Sequence, residues 1–263
     1  MTTTLAPALG ATTPSVRRRS AGRLLAAAAL PLLGLVAACG SAGSPTAEPT
    51  ASSAPAPVEV APAAARSTTT VARPTTDTEV FAAPDDAVPT QVLPARNGFG
   101  SPLALMVVEE RPGWLRVQLP TRPNGSTGWI RSDGVERREV SLAVHVDLAA
   151  RRMVVLDEGE VVLEAPVAVG AEGTPTPTGT FSIIDKLDTG RPDGPYGPYA
   201  FGLSAHSDVL TEFAGGDGQV GIHGTADPSS IGAAVSNGCV RVPNDVMVAL
   251  EALLPLGTPV TIS

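Results

Sequence analysis

Apolar and polar residues alternate with a period of two through much of the C-terminal half of the chain. From position 140 to 148 every second residue is apolar, so one face of the predicted strand is buried, while His145 lies on the solvent-facing side. Short turns separate this run from three more apolar segments, and the arrangement predicts a β-meander. The further strands are expected at 153–156, 161–169 and 180–184.

The last forty or so positions change to a pattern of helices followed by a closing strand. Asp227 and Pro228 are typical cap and first-turn residues, and they predict a short helix within 226–235. A second helix starts near Asn244 or Asp245. Its apolar face consists of Met247, Leu250 and Leu254. The segment 259–262 is predicted to be a final strand that rejoins the sheet.

Residues 77–136 are predicted to form a small all-β unit, because short apolar runs are separated by Pro, Gly and Asn turns. The stretch WLRVQLPTRPNGSTGWI, 114–130, resembles a bacterial SH3-like barrel, in which a Gly-Trp pair closes the end of a hairpin. Both tryptophans are interpreted as core, with a face that binds the cell wall or a peptide as the alternative. The unit contains neither Cys nor His, so we expect it to position the domain at 138–263 without supplying a catalytic group.

The first 38 residues carry four arginines and no acid, and the apolar run from 24 to 38 ends at Cys39. This pattern is typical of a secretory signal. The run is shorter than the roughly 20 residues that a membrane-spanning helix needs, so a permanent transmembrane anchor is the weaker interpretation. The Val-Ala-Ala-Cys junction resembles a bacterial lipobox and predicts lipidation of Cys39, on the outer face of the plasma membrane. Plain secretion is the alternative, and either general or twin-arginine export stays open.

Residues 39–76 are dominated by Ala, Pro, Ser and Thr, which predicts an extended tether between the membrane and the folded domains. Removing residues 1–38 takes away four arginines, so 14 of the 18 Lys and Arg residues remain (18 minus 4). With 26 Asp and Glu residues, the net charge of the remaining chain is −12 (14 minus 26). This acidic balance argues against nucleic acid as a partner.

The two cysteines suggest chemistry, because lipidation of Cys39 would prevent a disulfide between them. If Cys39 carries lipid, Cys239 remains as a free thiol in an exported protein. A cysteine nucleophile needs a base, and His223 precedes Cys239 by 16 residues (239 minus 223). Gly224 and Gly238 lie beside the two, where backbone amides can approach a developing oxyanion. Cysteine acyl transfer is one interpretation of these residues, and a buried, inert Cys is the other.

Four segments in order resemble the L,D-transpeptidase catalytic domain of the YkuD type. They are TPTPTGTF at 174–181, YGPYAFGLSAHSD at 196–208, HGT at 223–225 and SNGCVR at 236–241. The resemblance covers about 140–263, and it implies a mainly β, sandwich-like catalytic domain with short helices behind the SH3-like barrel. It also implies an enzyme of cell wall biogenesis that cross-links peptidoglycan stem peptides and that reacts with carbapenems.

The resemblance also implies a role for each residue of the two central motifs. Cys239 is the nucleophile, and His223 is the base, oriented by the backbone carbonyl of Gly224. The amides around Gly238 and Cys239 form the oxyanion hole. Arg241 supports the loop or pairs with a substrate carboxylate, with a surface ion pair to a residue such as Asp245 as the alternative.

The resemblance further points to a substrate-binding set and leaves some alternatives open. The expected substrate-binding residues are Arg241, Asn237, Ser236, Tyr199 and His206, although His206 could instead be solvated or packed. Many family members have His in place of Asn237, which we interpret as a subfamily variant. No metal or cofactor is expected, because the three His residues lack ligand spacing. A wall hydrolase, a protein-to-wall ligase and a non-catalytic wall-binding lipoprotein are the alternative functions.

Overall fold

The computed structural model describes residues 68–213 and 215–263, and all of them fall within one compact unit. The predictions of a signal peptide, of lipidation at Cys39 and of most of the tether therefore lie outside the described residues. No helix in the described part of the chain is long and apolar enough to cross a membrane.

The first half of the described chain forms a five-stranded antiparallel sheet, here called the N-terminal sheet, in the order β6-β5-β4-β1-β7. Strands β2 and β3 form a separate hairpin beside it. The bounds are β1 Thr69–Pro74, β2 Thr78–Val80, β3 Gln91–Leu93, β4 Leu105–Arg111, β5 Trp114–Gln118, β6 Thr127–Arg131 and β7 Val135–Val140. Trp114 and Trp129 are both buried, and they cluster with Phe81, in agreement with the prediction that they are core. The likeness to an SH3 barrel stays a prediction.

Strand β1 shows that the predicted tether ends too late. Residues 69–74 do not belong to a tether, because β1 pairs with both β4 and β7 inside the N-terminal sheet. The Thr and Ala content of this segment resembles the tether that precedes it, but its Thr and Val side chains also favour strands. Val71 and Ala72 are fully buried, so burial of this strand outweighs the composition.

The second half forms an eight-stranded sheet, here called the C-terminal sheet, in the order β10-β9-β8-β17-β12-β13-β14-β16. A small parallel pair, β11 and β15, lies outside it. The bounds are β8 Leu142–Asp147, β9 Arg152–Asp157, β10 Glu160–Pro166, β11 Val169–Gly170, β12 Gly179–Asp188, β13 Tyr199–His206, β14 Gln219–His223, β15 Ala234–Ser236, β16 Val240–Arg241 and β17 Pro259–Ile262. The fold is mainly β, as predicted.

The predicted meander is correct for β8, β9 and β10 and wrong beyond them. The last strand, β17, pairs in parallel with β8 and antiparallel with β12, so it separates the two. A meander assumes that neighbours in sequence are neighbours in the sheet, and nothing local in the sequence reveals this insertion. The predicted alternation is confirmed within β8, because Val144 and Val146 are buried while His145 is exposed. The predicted single strand over 140–148 is divided, because Val140 is the last residue of β7 in the N-terminal sheet.

Two short helices connect the later strands. The first is a 3-10 helix, Pro228–Ser230, whose N-cap Asp227 accepts a hydrogen bond from the Ser229 amide, as the cap prediction requires. The second, α1 Asn244–Leu253, buries Met247 and Leu250 against the core of the C-terminal sheet. Helix α1 therefore follows shortly after β16 and contacts β13 of the C-terminal sheet.

Candidate active site

His223 and Cys239 reach one cleft from two neighbouring strands. Strands β14 and β16 pair in parallel, with Ile222 opposite Val240 and His223 opposite Arg241. Cys239 directly precedes β16, so this register brings it next to the final residues of β14. Both side chains line a cleft of about 620 Å³. The pairing of strands thus brings together two residues that are 16 positions apart (239 minus 223).

His223 is held as a neutral imidazole with one nitrogen available. Its side chain is buried, and Nδ1 lies 2.5 Å from the Gly224 carbonyl oxygen, the contact that the resemblance implied. A carbonyl oxygen only accepts, so Nδ1 carries the hydrogen and Nε2 keeps its lone pair. Burial, together with the positive charge of Arg241, lowers the pKa of His223 to about 4, although the hydrogen bond to Gly224 acts in the opposite direction. At neutral pH this imidazole is therefore uncharged and able to accept a proton.

Cys239 is held as a thiol. Burial raises its pKa above the usual value, while a hydrogen bond from the Gly221 backbone and the positive charge of Arg241 oppose that rise. A hydrogen bond that lowers the pKa of a thiol favours the thiolate, so the Gly221 amide must donate to the sulfur. The thiol is partly exposed to the cleft. Because its raised pKa leaves little thiolate at neutral pH, reaction at this sulfur requires a base.

The turn that presents Cys239 is closed by Ser236. The Ser236 hydroxyl donates to the Cys239 carbonyl oxygen at 2.5 Å and accepts from the Gly238 amide at 3.1 Å. The hydroxyl of Thr174, in the TPTPTG segment, donates to the Ser236 carbonyl at 2.9 Å. Gly238 has φ of +113°, a conformation that favours glycine. Since the Gly238 amide already bonds to Ser236, it is not free for the oxyanion role that we expected of it.

The other expected substrate-binding residues occupy different places. Ser236 is buried in the turn, Asn237 is exposed next to it, and Tyr199 is half-buried against the core at the start of β13. Arg241 lies in β16 opposite His223, with its Nε buried and without a hydrogen-bond partner. In the described part of the chain it forms no ion pair with Asp245, so that alternative receives no support.

His206 lies apart from the cleft lining. It is buried at the end of β13, where its Nε2 is 3.0 Å from the Asp217 carboxylate. Asp217 itself lines the cleft, whereas His206 does not. The packed alternative for His206 therefore agrees with the structure better than a direct substrate contact does.

Several residues that line or support the cleft were missed from the sequence. The ring of Tyr196 packs edge-on against His223, with ring centroids 4.9 Å apart. Phe99, Phe213 and Asp185 also line the cleft. Tyr196 falls within the YGPYAFG motif, which could have indicated it. Phe99 lies between β3 and β4, and none of the sequence motifs includes it.

Asn244 holds the backbone that follows His223. Its Oδ1 accepts from the Thr225 amide at 2.7 Å, and its Nδ2 donates to the Pro192 carbonyl at 3.3 Å. A Cβ atom added at Gly224 would lie 2.4 Å from this Oδ1, so the chain passes too closely for any side chain there. Asn244 therefore connects helix α1 to the segments that carry Pro192 and Thr225, although the sequence indicated only that a helix starts near it.

Replacing Asn244 by alanine should lower the free energy of unfolding by about 1–3 kcal/mol, because the part-buried Thr225 amide loses its acceptor. It should also slow the reaction of Cys239 with iodoacetamide, since the His223 segment loses its support. Asn244→Asp, which keeps the acceptor, should be affected less. Urea unfolding and alkylation rates measure both effects, with Val248→Ala on the exposed side of α1 as control. Equal behaviour of Asn244→Ala and the control would contradict this role.

Comparisons with known proteins agree on one family. The model of the YkuD L,D-transpeptidase catalytic domain matches residues 141–262. The chain is 38% identical over 120 residues to a putative L,D-transpeptidase, YkuD, of Bacillus subtilis, which covers 46% of this chain and 65% of that protein. It is 34% identical over 131 residues to YqjB of the same organism, also named a putative L,D-transpeptidase, covering 46% of this chain and 70% of that protein.

A solved structure is also similar to part of this chain. The catalytic domain of the E. faecium L,D-transpeptidase is 25% identical, covers 46% of this chain and 96% of that one, and superposes with a TM-score of 0.33. The chain spans just under two thirds of the length of two YkuD relatives that it matches, 65% of the one from Bacillus subtilis and 64% of the one from Bacillus licheniformis.

Proposed function

Because the chain belongs to the YkuD family of L,D-transpeptidases, we propose that it cross-links peptidoglycan stem peptides through a thioester on Cys239. The observation that carries the proposal is the pair in the cleft. A neutral His223 with a free Nε2 and a protonated Cys239 thiol line the same cavity, each held by backbone hydrogen bonds. Nucleophilic catalysis by cysteine needs a thiol and a base in one site, and this cleft holds both.

The proposed reaction has two acyl transfers. His223 Nε2 takes the thiol proton as Cys239 Sγ attacks the carbonyl carbon of the donor stem, at the peptide bond before its terminal D-alanine. The C–N bond breaks, the imidazolium returns the proton to the departing amine, and a thioester remains. A side-chain amine of a second stem then attacks the thioester, with His223 accepting its proton, so that an amide forms and the thiol is restored.

The residues around the pair favour these steps. The Gly221 amide donates to the sulfur and thereby stabilises the thiolate as it forms. The Arg241 charge favours the thiolate and opposes the imidazolium, so it assists the attack but not the protonation of His223. Tyr196 packs against the imidazole ring and restricts its rotation. The base therefore needs no acidic third residue to orient it, because the Gly224 carbonyl does so.

Incubating the purified protein with a tetrapeptide stem tests the proposed function. We expect a thioester adduct that has lost D-alanine, visible by intact-protein mass spectrometry, and an amide-linked dimer of stems among the products. The acceptor is read from those products: a cross-linked stem indicates transpeptidation, whereas a free tripeptide indicates hydrolysis. A carbapenem, as an activated acyl donor, should add its mass once. A protein that forms no adduct with either reagent would contradict an acyltransferase function and leave the wall-binding alternative.

We further propose that the protein acts outside the cytoplasm as a lipoprotein anchored through Cys39. The proposal is supported by the apolar run before the Val-Ala-Ala-Cys junction, and by the Pro-rich segment that separates it from the folded sheets. Metabolic labelling with a fatty-acid analogue should label the wild-type chain and leave Cys39→Ala unlabelled and released from membranes. Cys239→Ala is the matched cysteine control and should label as the wild type does. Equal labelling of Cys39→Ala would contradict the anchor.

A further inference from the structure

A turn of the N-terminal sheet contacts the loop that forms one wall of the cleft. The turn is the β5–β6 connection, residues 119–126, here called the hairpin turn. The loop connects β13 to β14, residues 207–213 and 215–218, here called the cleft loop. Three of its residues line the cavity that holds Cys239 and His223, namely Phe213, Gly216 and Asp217. The two segments are more than 80 residues apart in sequence. Arg122 and Ser207, for example, are separated by 85 positions.

Arg122 binds both ends of the cleft loop at once. Its Nη1 donates to the Ser207 carbonyl at 2.6 Å, and its Nη2 donates to the Leu210 carbonyl at 3.1 Å and the Asp217 carbonyl at 2.9 Å. A guanidinium presents several donors in a rigid plane, which suits it to hold three carbonyls in a fixed arrangement. Arg122 therefore connects the start of the loop to its end.

Asn124 extends this contact to the strand that precedes the loop. Its side-chain Nδ2 donates to the His206 carbonyl at 2.7 Å, and its Oδ1 accepts from the His206 amide at 2.9 Å. The amide group thus pairs with the end of β13 as a neighbouring strand would. A hydrogen bond of 3.3 Å to the Asp208 carboxylate adds to it. The direction in which the chain leaves β13 is consequently set by a residue of the other sheet.

The close approach of the loop ends explains Gly218. Gly218 has φ of +80°, and a Cβ atom there would lie 1.9 Å from the Leu210 carbonyl oxygen and 3.0 Å from Arg122 Nη2. No other residue type fits without moving the loop away from Arg122. The glycine at position 218 therefore allows the cleft loop to approach Arg122 closely.

The N-terminal part of the chain also reaches the cleft directly. Phe99, between β3 and β4, lines the cavity while 63% of its surface is exposed. Its neighbour Asn97 is fixed by a 2.5 Å hydrogen bond to the buried carboxylate of Asp185, which lines the same cavity. The side chain of Asn97 additionally accepts from the Phe99 amide at 3.0 Å. An exposed aromatic ring on a braced loop at the edge of a cleft is a feature typical of ligand contact.

We propose that the N-terminal sheet forms part of the substrate-binding site. Arg122 and Asn124 are positioning residues that hold the cleft loop, and Phe99 contacts the peptide stem beyond the reacting bond. This inference rests on the proposed function and gives the N-terminal sheet a role in substrate recognition. A ligand that touches Cys239, the cleft loop and Phe99 together is larger than one residue, so the site selects extended stem peptides over small acyl donors.

Arg122→Ala in the otherwise complete chain tests the positioning role. Hydrogen exchange of the cleft-loop amides should accelerate by about tenfold or more, because local opening is no longer opposed by three hydrogen bonds. The KM for the tetrapeptide stem should rise about tenfold, with kcat changed less than about threefold, and alkylation by iodoacetamide should stay within about twofold. Arg122→Lys, which keeps the charge and not the planar set of donors, should fall between Arg122→Ala and the wild type.

Two further variants separate positioning from general destabilisation. Arg137→Ala is the matched control, because Arg137 lies in the same sheet and pairs with the exposed Glu110 of β4, away from the cleft loop. It should leave exchange, KM and alkylation unchanged. Phe99→Ala should raise KM for the tetrapeptide stem without accelerating exchange of the cleft loop, since it contacts ligand and not the loop's carbonyls.

The inference would be overturned if Arg122→Ala left both loop exchange and KM at wild-type values, or if it slowed alkylation as much as the peptide reaction. The second result would indicate a general effect on Cys239 or on folding. An unchanged KM for Phe99→Ala would remove the direct contact from the proposal. If the wild type forms no adduct at all, the proposed function fails, while the exchange measurement still decides whether Arg122 holds the loop.

Discussion

Replacing Cys239 by alanine should abolish covalent acylation of the protein, and replacing His223 by alanine should slow it by about 10²- to 10⁴-fold. The two effects differ because the sulfur of Cys239 forms the new bond, whereas the imidazole of His223 only removes the thiol proton. Without His223, the small fraction of thiolate can still attack, assisted by the Gly221 amide and the Arg241 charge. The rate of adduct formation with a carbapenem, followed by intact-protein mass spectrometry, measures both variants.

Raising the pH distinguishes loss of the base from loss of the fold. His223→Ala should recover part of its rate at alkaline pH, because hydroxide then forms the thiolate that the imidazole no longer generates. Cys239→Ala should not recover at any pH, and Cys239→Ser is a near-isosteric control for the cleft. An adduct that maps to another residue, or cross-linked stems formed by Cys239→Ala, would refute the assignment of Cys239 as nucleophile.

Lowering the pH from 7 to 4 should cost the wild type about 3 kcal/mol of unfolding free energy that a His223→Gln variant does not lose. The pKa of His223 is about 4 in the folded chain, below its ordinary value of 6.5. Between these values the unfolded chain binds a proton that the folded chain does not. The contribution of His223 to the free energy of unfolding is therefore complete above pH 6.5. It decreases as the pH falls from 6.5 to 4, and it is smallest near pH 4.

Urea unfolding of both proteins at several pH values between 4 and 7 measures this difference, because the remaining titratable groups are shared and cancel. The rate of Cys239 alkylation gives a second measurement. As the pH is lowered, this rate should fall near pH 4, where the imidazole becomes protonated, and not near pH 6.5. Parallel stability curves for wild type and His223→Gln would mean that His223 is solvated in the folded chain and keeps an ordinary pKa.

The two residues that the cleft brings together could be predicted from the sequence, because the motifs that mark them are short. Cys239 and His223 each lie in a motif of a few residues, and the Gly224 carbonyl that orients the imidazole is the next residue along the chain. The same holds for local structure. The alternation around Val144, the cap at Asp227 and the closing strand Pro259–Ile262 depend on neighbours in sequence, and the structure has all three.

The supporting contacts could not be predicted in this way. Asn244 was expected only to mark the start of a helix, and its contact with Thr225 becomes visible only when the start of α1 lies beside the segment that follows β14. His206 looked like a residue of a substrate loop, but it is buried and bonded to Asp217. In both cases the residue type permits several roles, and burial by distant segments selects one of them.

The sequence by itself determined the residue types that can react, the strands that alternate and the points where helices begin, because each depends on side chains within a few positions. Only the tertiary structure decided that β17 lies between β8 and β12, and that Arg122 holds the loop around Asp217. These are choices among many compatible pairings of distant segments. They are settled by which arrangement buries the apolar faces of both sheets while satisfying the buried backbone groups, a condition on the whole chain that no short stretch of sequence contains.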